Sequence, residues 1–155
     1  MRHWCIVTSP ENWEICKKHG LWGMDFRYFV TLEKYLQAGD RAAVYIHGGN
    51  FVALVEFKGR YFFDEQHIGW KKAGEPCLFP YRIKFDVIQE ARTPIKISFS
   101  TEQNDEKAIW ESTNFIDDIV FIADRSKTWN QYVQVSILRI TEEDFSILEK
   151  AITTS

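Results

Sequence analysis

The chain has 155 residues and a net charge of −3, with 45% hydrophobic and 26% charged residues, 8 Gly and 4 Pro. These proportions exclude a disordered, collagenous or low-complexity chain, and the length suits one domain of ordinary size, residues 1–155. The acidic balance argues against a protein that coats nucleic acid through bulk electrostatics, while leaving room for a local basic groove.

In chain order, His3 to Thr8 reads as a first strand. Ser9 then stands as an N-cap, Pro10 at the first helical position and Glu11 in the first turn of a helix that runs to His19 and stops at Gly20. Leu21-Trp22-Gly23-Met24-Asp25 reads as an apolar loop, and Thr31 to Ala38 as a short helix. Arg41 to Ile46 and Phe51 to Phe62 are expected strands joined by the hairpin signal His47-Gly48-Gly49-Asn50.

Asp64 to Pro80 is a long loop for a compact domain, and such loops are commonly functional. Tyr81 to Gln89 resumes a strand, and Pro94 to Ser98 reads as another. A helix is expected around Glu106 to Ser112, with short strands at Ile119 to Ala123 and Tyr132 to Ile140. Thr141-Glu142-Glu143-Asp144 opens a last helix with an N-cap and an acidic first turn. The expected class is α+β: a small, curled, largely antiparallel sheet or open barrel flanked by helices.

No apolar run is long enough to span a bilayer, and no basic segment followed by an apolar stretch opens the chain. No membrane partner and a cytoplasmic location are therefore expected. Cys5, Cys16 and Cys77 are widely spaced without a CxxC, which reads as reduced thiols rather than a zinc site. The histidines His3, His19, His47 and His67 show no ligand spacing. No nucleophile elbow, P-loop, dinucleotide fingerprint or HExxH is present, so neither a metal, a cofactor nor an enzymatic activity is expected.

The unusual feature is aromatic content: 15%, with 6 Trp, 6 Tyr and 12 Phe. Trp22 and Trp70 each lie in a segment bordered by glycines, Gly20 and Gly23 for the first, Gly69 and Gly74 for the second. Glycine lets backbone pass close to a flat ligand, and two indole planes can sandwich a nucleobase. Core plugs anchoring long segments would show the same pattern. Lys17, Lys18, Arg27, Lys71, Lys72, Arg82, Lys84 and Lys96 supply basic groups for a rim, although lysine at a helix C-terminus also answers the helix dipole.

His3-Trp4-Cys5-Ile6-Val7-Thr8-Ser9-Pro10, Asn12-Trp13 and Gly20-Leu21-Trp22-Gly23 resemble the opening of EVE domains, members of the PUA-like superfamily. The likeness continues through Ala38-Gly39-Asp40, Ala43-Val44-Tyr45-Ile46, Phe79-Pro80-Tyr81-Arg82 and Ile140-Thr141-Glu142-Glu143-Asp144-Phe145, covering nearly the whole chain in order. The chain is also similar to the related YTH domains, readers of N6-methyladenine in RNA.

That resemblance implies a reader of a modified, methylated base in DNA or RNA, with no catalysis of its own. Trp22 and Trp70 would be the cage walls, with Ser9, Pro10 and Asn12 lining the pocket beside Trp22. Main-chain groups or the Asn12 amide would read the base edge. Lys71, Lys72, Lys96, Arg82 and Arg27 would face the nucleic-acid backbone. Two positions depart from the pattern: Phe99 stands where an arginine would follow Lys96, and Glu75 where some relatives carry a third cage aromatic, which leaves Leu78 to close the pocket. EVE domains occur alone or fused to the GTPases of modification-dependent restriction systems, so association with a restriction or RNA-processing machine follows from the likeness. The competing reading is a pocket for a small heterocycle or a catalytic one, with Glu11, Asp25 and His67 as the titrating candidates. A third reading is a protein-interaction module built on the aromatic surface.

Overall fold

Local capping chemistry sets the ends of the first elements. This computed structural model describes residues 1–47, 50–101, 108–112 and 137–155, with backbone alone for 96–101 and 108–112. β1 (His3–Thr8) leads into α1 (Pro10–His19), whose first turn is closed by Ser9 Oγ accepting from the Asn12 N–H at 3.1 Å. Gly20 ends α1 in the left-handed region, at φ 64°, and donates its N–H to Cys16 O at 2.7 Å. Lys17, Lys18 and His19 sit in the last turn, where the dipole favours them.

β2 (Leu21–Met24), a 3-10 turn (Phe26–Tyr28) and α2 (Phe29–Lys34) follow, then β3 (Arg41–Ile46) and β4 (Asn50–Phe63). The segment holding Trp22, expected as a loop, is a short strand: Leu21 to Met24 pair antiparallel with Lys84 to Tyr81 and take up an otherwise open edge. The 64–80 loop contains a small hairpin, β5 (Lys71–Lys72) and β6 (Glu75–Pro76). Its turn is Ala73-Gly74, both at positive φ (52° and 80°), as a two-residue hairpin of matching twist requires.

β7 (Tyr81–Thr101) absorbs the two strands expected separately, and β8 (Ala108–Ser112) pairs with its far end. Residues 108–112 were expected as helix, but Ile109 and Trp110 suit a strand and the ladder of β7 recruits them. β9 (Ile137–Ile140) and α3 (Glu142–Thr154) complete the order, with Thr141 Oγ1 capping the Asp144 N–H at 3.1 Å. The strand expected at 119–123, residues 132–136 and the turn at 48–49 lie outside the described residues.

Among the described residues the main sheet runs β2-β7-β4-β3-β1-β9, with β8 on β7. β1 and β3 are parallel and the other pairs antiparallel, so the sheet is mixed. Register shifts in the β3–β4 and β4–β7 pairs increase local bending, and the sheet curls as a half-barrel. The α+β expectation therefore holds.

Strand alternation divides the core. Trp4, Ile6, Val44, Val55 and Phe57 face one cluster with Trp13 and Cys16 of α1. Cys5, Val7, Tyr45, Phe51 and Leu54 face another with Phe145, Leu148 and Ile152 of α3. The central strands are covered on both faces, which is why β1 and β3 read as near-continuous apolar runs. Asp40 ties the corner of this core: its buried carboxylate accepts from Trp4 Nε1 at 3.1 Å, the Arg2 N–H at 3.0 Å and the Gln37 N–H at 3.0 Å. No described helix is long and apolar enough to cross a membrane.

Candidate functional site

The C-terminal end of β1, the start of α1, β2 and the β5 strand of the 64–80 loop meet around a cavity of about 250 Å³. This is just below the range of roughly 300–1,000 Å³ for typical ligand pockets, a size suited to a single heterocycle. Its wall includes Ser9, Asn12, Trp22, Arg27, Trp70, Lys71 and Lys72 among the residues expected from sequence.

Trp22 and Trp70 are each 3% exposed and belong to the main core cluster. The core-plug and pocket-wall descriptions therefore apply to the same two side chains. Their indole N–H groups are buried with no hydrogen bond of normal geometry among the described residues. Burial pushes the Cys16 thiol up to about 12, and the Trp70 N–H, lying toward that sulfur, pulls in the other direction. Cys16 is thus an uncharged part of the wall at neutral pH.

Trp70 is placed by three contacts. Its six-membered ring lies against the Gly23 backbone so closely that a Cβ on Gly23 would stand 2.5 Å from Trp70 Cζ3 and 2.9 Å from Phe79 Cβ. The Phe79 ring meets it edge-on at 5.9 Å. The Arg82 guanidinium covers it at 5.1 Å, a cation–π contact.

Arg82 does not face the rim as expected. It is 1% exposed. Its Nε donates to Phe79 O at 3.3 Å, and Nη2 donates to Leu78 O at 3.0 Å and to Gln66 O. Nη1 lies 3.4 Å from Asp64 Oδ2. The reason is tertiary: Arg82 and Lys84 share one side of β7, and the 64–80 loop folds over Arg82 while Lys84 stays exposed. Phe79 supports this closure at φ 44°, a left-handed conformation unusual for a bulky residue.

Asn12 lines the cavity as expected and also holds the loop. Its Nδ2 donates to Lys71 O at 2.7 Å and its Oδ1 accepts from the Lys71 N–H at 3.0 Å. Each end of the amide makes one bond to the loop backbone, so the side chain positions Lys71 while keeping one N–H and one lone pair on the cavity wall. Pro10 is exposed on the first turn of α1, and Leu78, half-buried, offers its carbonyl to Arg82; neither lines the cavity. Lys96 is placed by its backbone opposite Asn50 on β4.

Sequence reasoning missed Phe79, His47 and Thr8 on the wall. Phe79 precedes Pro80, an order that signals a constrained turn and was the available clue. Of the titrating candidates, Asp25 lines the cavity and pairs with Lys72 at 3.8 Å, whereas Glu11 and His67 are exposed and away from the wall. Among the described residues no cluster of three or more His, Cys, Asp or Glu could hold a metal.

No family model matches the chain. It is 27% identical over 164 residues to UPF0310 protein PH1033 of Pyrococcus horikoshii, covering 97% of this chain and 98% of that protein. It is 21% identical to UPF0310 protein PYRAB08750 of Pyrococcus abyssi, covering 96% of this chain and 98% of that one. Among solved structures, Rpa0253 from Rhodopseudomonas palustris superposes with a TM-score of 0.59 at 15% identity over 99% of this chain and 94% of the other. The YTH domain of Mmi1, solved in complex with RNA, gives a TM-score of 0.64 at 10% identity over 99% of this chain and 78% of the other. The fold is YTH-like.

Two substitutions test this construction. Gly23 sits in a strand, where alanine is otherwise tolerated, so any cost of Gly23→Ala is steric. It should destabilise by about 1–3 kcal/mol, read from the urea midpoint, and an unchanged midpoint contradicts the close approach of Trp70. Arg82→Lys replaces a planar five-donor fork with a point charge. Hydrogen exchange at the Cys77 amide, which donates to Trp70 O at 2.9 Å, should rise by about two orders of magnitude, a loss of ~2–3 kcal/mol. Retained protection would show that the loop closes without Arg82.

Proposed function

We propose that this chain binds nucleic acid and captures one modified, methylated base in the cavity beside Trp22 and Trp70, without catalysing a reaction. The supporting observation is the cavity itself: heterocycle-sized, walled by two indoles, and bordered by Arg27, Lys71 and Lys72. The fold adds to it, because Mmi1, which shares this fold, has been solved with RNA bound. A methyl group gains by leaving water between apolar rings, and a positively charged base gains further from ring faces. Ser9 Oγ accepts the helix cap and keeps its O–H, and the Asn12 amide keeps one N–H and one lone pair beyond Lys71, so both stand beside main-chain groups for edge recognition.

The depth of the pocket sets the form of the polymer. A base stacked within a duplex cannot reach such a cavity: RNA would present it from a single strand, and duplex DNA would have to flip it out. Lysines at the mouth would hold phosphates, each contributing about −0.7 to −0.9 to the slope of log affinity against log salt.

The test is a titration with short single- and double-stranded DNA and RNA carrying one unmodified, N6-methyl, 5-methyl or 5-hydroxymethyl base. Tryptophan fluorescence gives the signal. One modified oligonucleotide should bind at least about tenfold tighter than its unmodified counterpart, a gap of ~1.4 kcal/mol. Lys71→Ala with Lys72→Ala should flatten the salt slope by one to two contacts, roughly 0.7–1.8. Binding of free nucleosides with no gain from the polymer would assign the cavity to small heterocycles, and no binding at low salt would overturn the reading.

A further inference from the structure

An exposed aromatic surface adjoins the cavity without lining it. Tyr81, at the start of β7, lies opposite Phe63 at the end of β4, and their rings meet edge-on at 5.3 Å. Tyr81 also contacts Phe29 at 5.8 Å, Phe26 at 6.1 Å and Tyr61 at 6.3 Å. Phe26 and Phe29 stack at 5.7 Å with 17° between their planes. Five rings thus form one connected cluster.

The outer members are open to solvent: Phe26 is 70% exposed and Phe63 54%. Single exposed apolar side chains are ordinary, whereas a joined patch marks a binding surface. The inner members are held in place, since Tyr61 Oη donates to Glu33 Oε2 at 2.6 Å and Glu33 pairs with Arg60 at 3.0 Å. A rigid platform loses little conformational freedom when a ligand settles on it.

Position and chemistry together select the occupant. Phe26 lies between Asp25 and Arg27 in the chain, and both of those line the cavity. Phe79, on the cavity wall, is two residues from Tyr81 at the centre of the cluster. A strand with one base in the cavity would carry its neighbouring bases toward these rings, since Phe26 and Tyr81 follow cavity-lining residues by one and two positions. The surface offers ring faces, on which any base can stack irrespective of sequence. Two nearby cations are shared with acids, Arg60 with Glu33 and Lys72 with Asp25, while Arg27 lies over the Tyr28 ring at 5.6 Å, so the rings themselves contribute through stacking.

We propose that the Phe26–Phe29–Tyr61–Phe63–Tyr81 cluster stacks the bases flanking the captured one in a single-stranded nucleic acid. This inference rests on the nucleic-acid reading of the cavity and adds the requirement for a single strand.

The test compares wild type with Phe26→Ser, Phe63→Ser and the double variant. The ligands are single-stranded oligonucleotides carrying one N6-methyladenine or 5-methylcytosine, and the matching free nucleosides. Oligonucleotide affinity should fall about 5- to 100-fold in the double variant, to the same extent at low and high salt, while nucleoside affinity stays unchanged. Unchanged oligonucleotide affinity in the double variant overturns the platform and leaves the cavity reading intact. Failure of the wild type to bind any of these single strands overturns the platform, and failure across the full panel of single- and double-stranded ligands above overturns both. A dimer seen by sedimentation of the protein alone, and dissociated by Phe26→Ser, assigns the surface to a second copy of the chain and overturns the inference as well.

Discussion

Buried beneath the 64–80 loop, the Arg82 guanidinium is shared among the carbonyls of Gln66, Leu78 and Phe79, the Asp64 carboxylate and the face of Trp70. A buried charge is costly unless its donors are satisfied, and here a planar fork meets acceptors from both ends of one loop. The consequence is structural. Seventeen residues without long secondary structure, 64–80, are closed over the edge of the sheet, and Trp70 is delivered to the cavity wall. Gly23 supplies the opposing requirement, a backbone with no Cβ, so that the indole can settle against β2.

The same loop is fixed at a second point by the Asn12 amide, which pairs with both backbone groups of Lys71. Loop and helix are thereby one unit at the cavity mouth, and Lys71 and Lys72 are held at its edge. Such pre-organisation lowers the entropy lost on binding. Two indole N–H donors remain without a normal partner in this wall.

How much of this was legible in the sequence depended on the range of the interactions. Ser9, Pro10 and Gly20 fixed α1 because capping is local chemistry, and Arg41–Ile46 was readable from its apolar run beside a hairpin signal. The glycine beside Trp22 was a sound clue, although its partner proved to be Trp70 rather than a ligand plane. Arg82 was misread because a basic residue on a strand looks solvent-facing until the loop just before it folds back over it. Asn12 was placed at the cavity correctly, but its bond to Lys71 was invisible because that partner lies 59 residues away, beyond any local pattern. Residues 108–112 took the strand form because an available ladder outweighs weak helical preference in a short segment.

The central claim is that a base enters the cavity formed by Trp22 and Trp70, and the indole N–H resonances report on it directly. In a ¹H–¹⁵N spectrum, with Trp→Phe variants to assign the peaks, the preferred modified oligonucleotide should shift the Trp22 and Trp70 indole signals together. The Trp4 signal, whose N–H is bonded to Asp40 at 3.1 Å, should stay in place. Stationary Trp22 and Trp70 signals at saturating oligonucleotide would contradict the account, whatever the affinity measured.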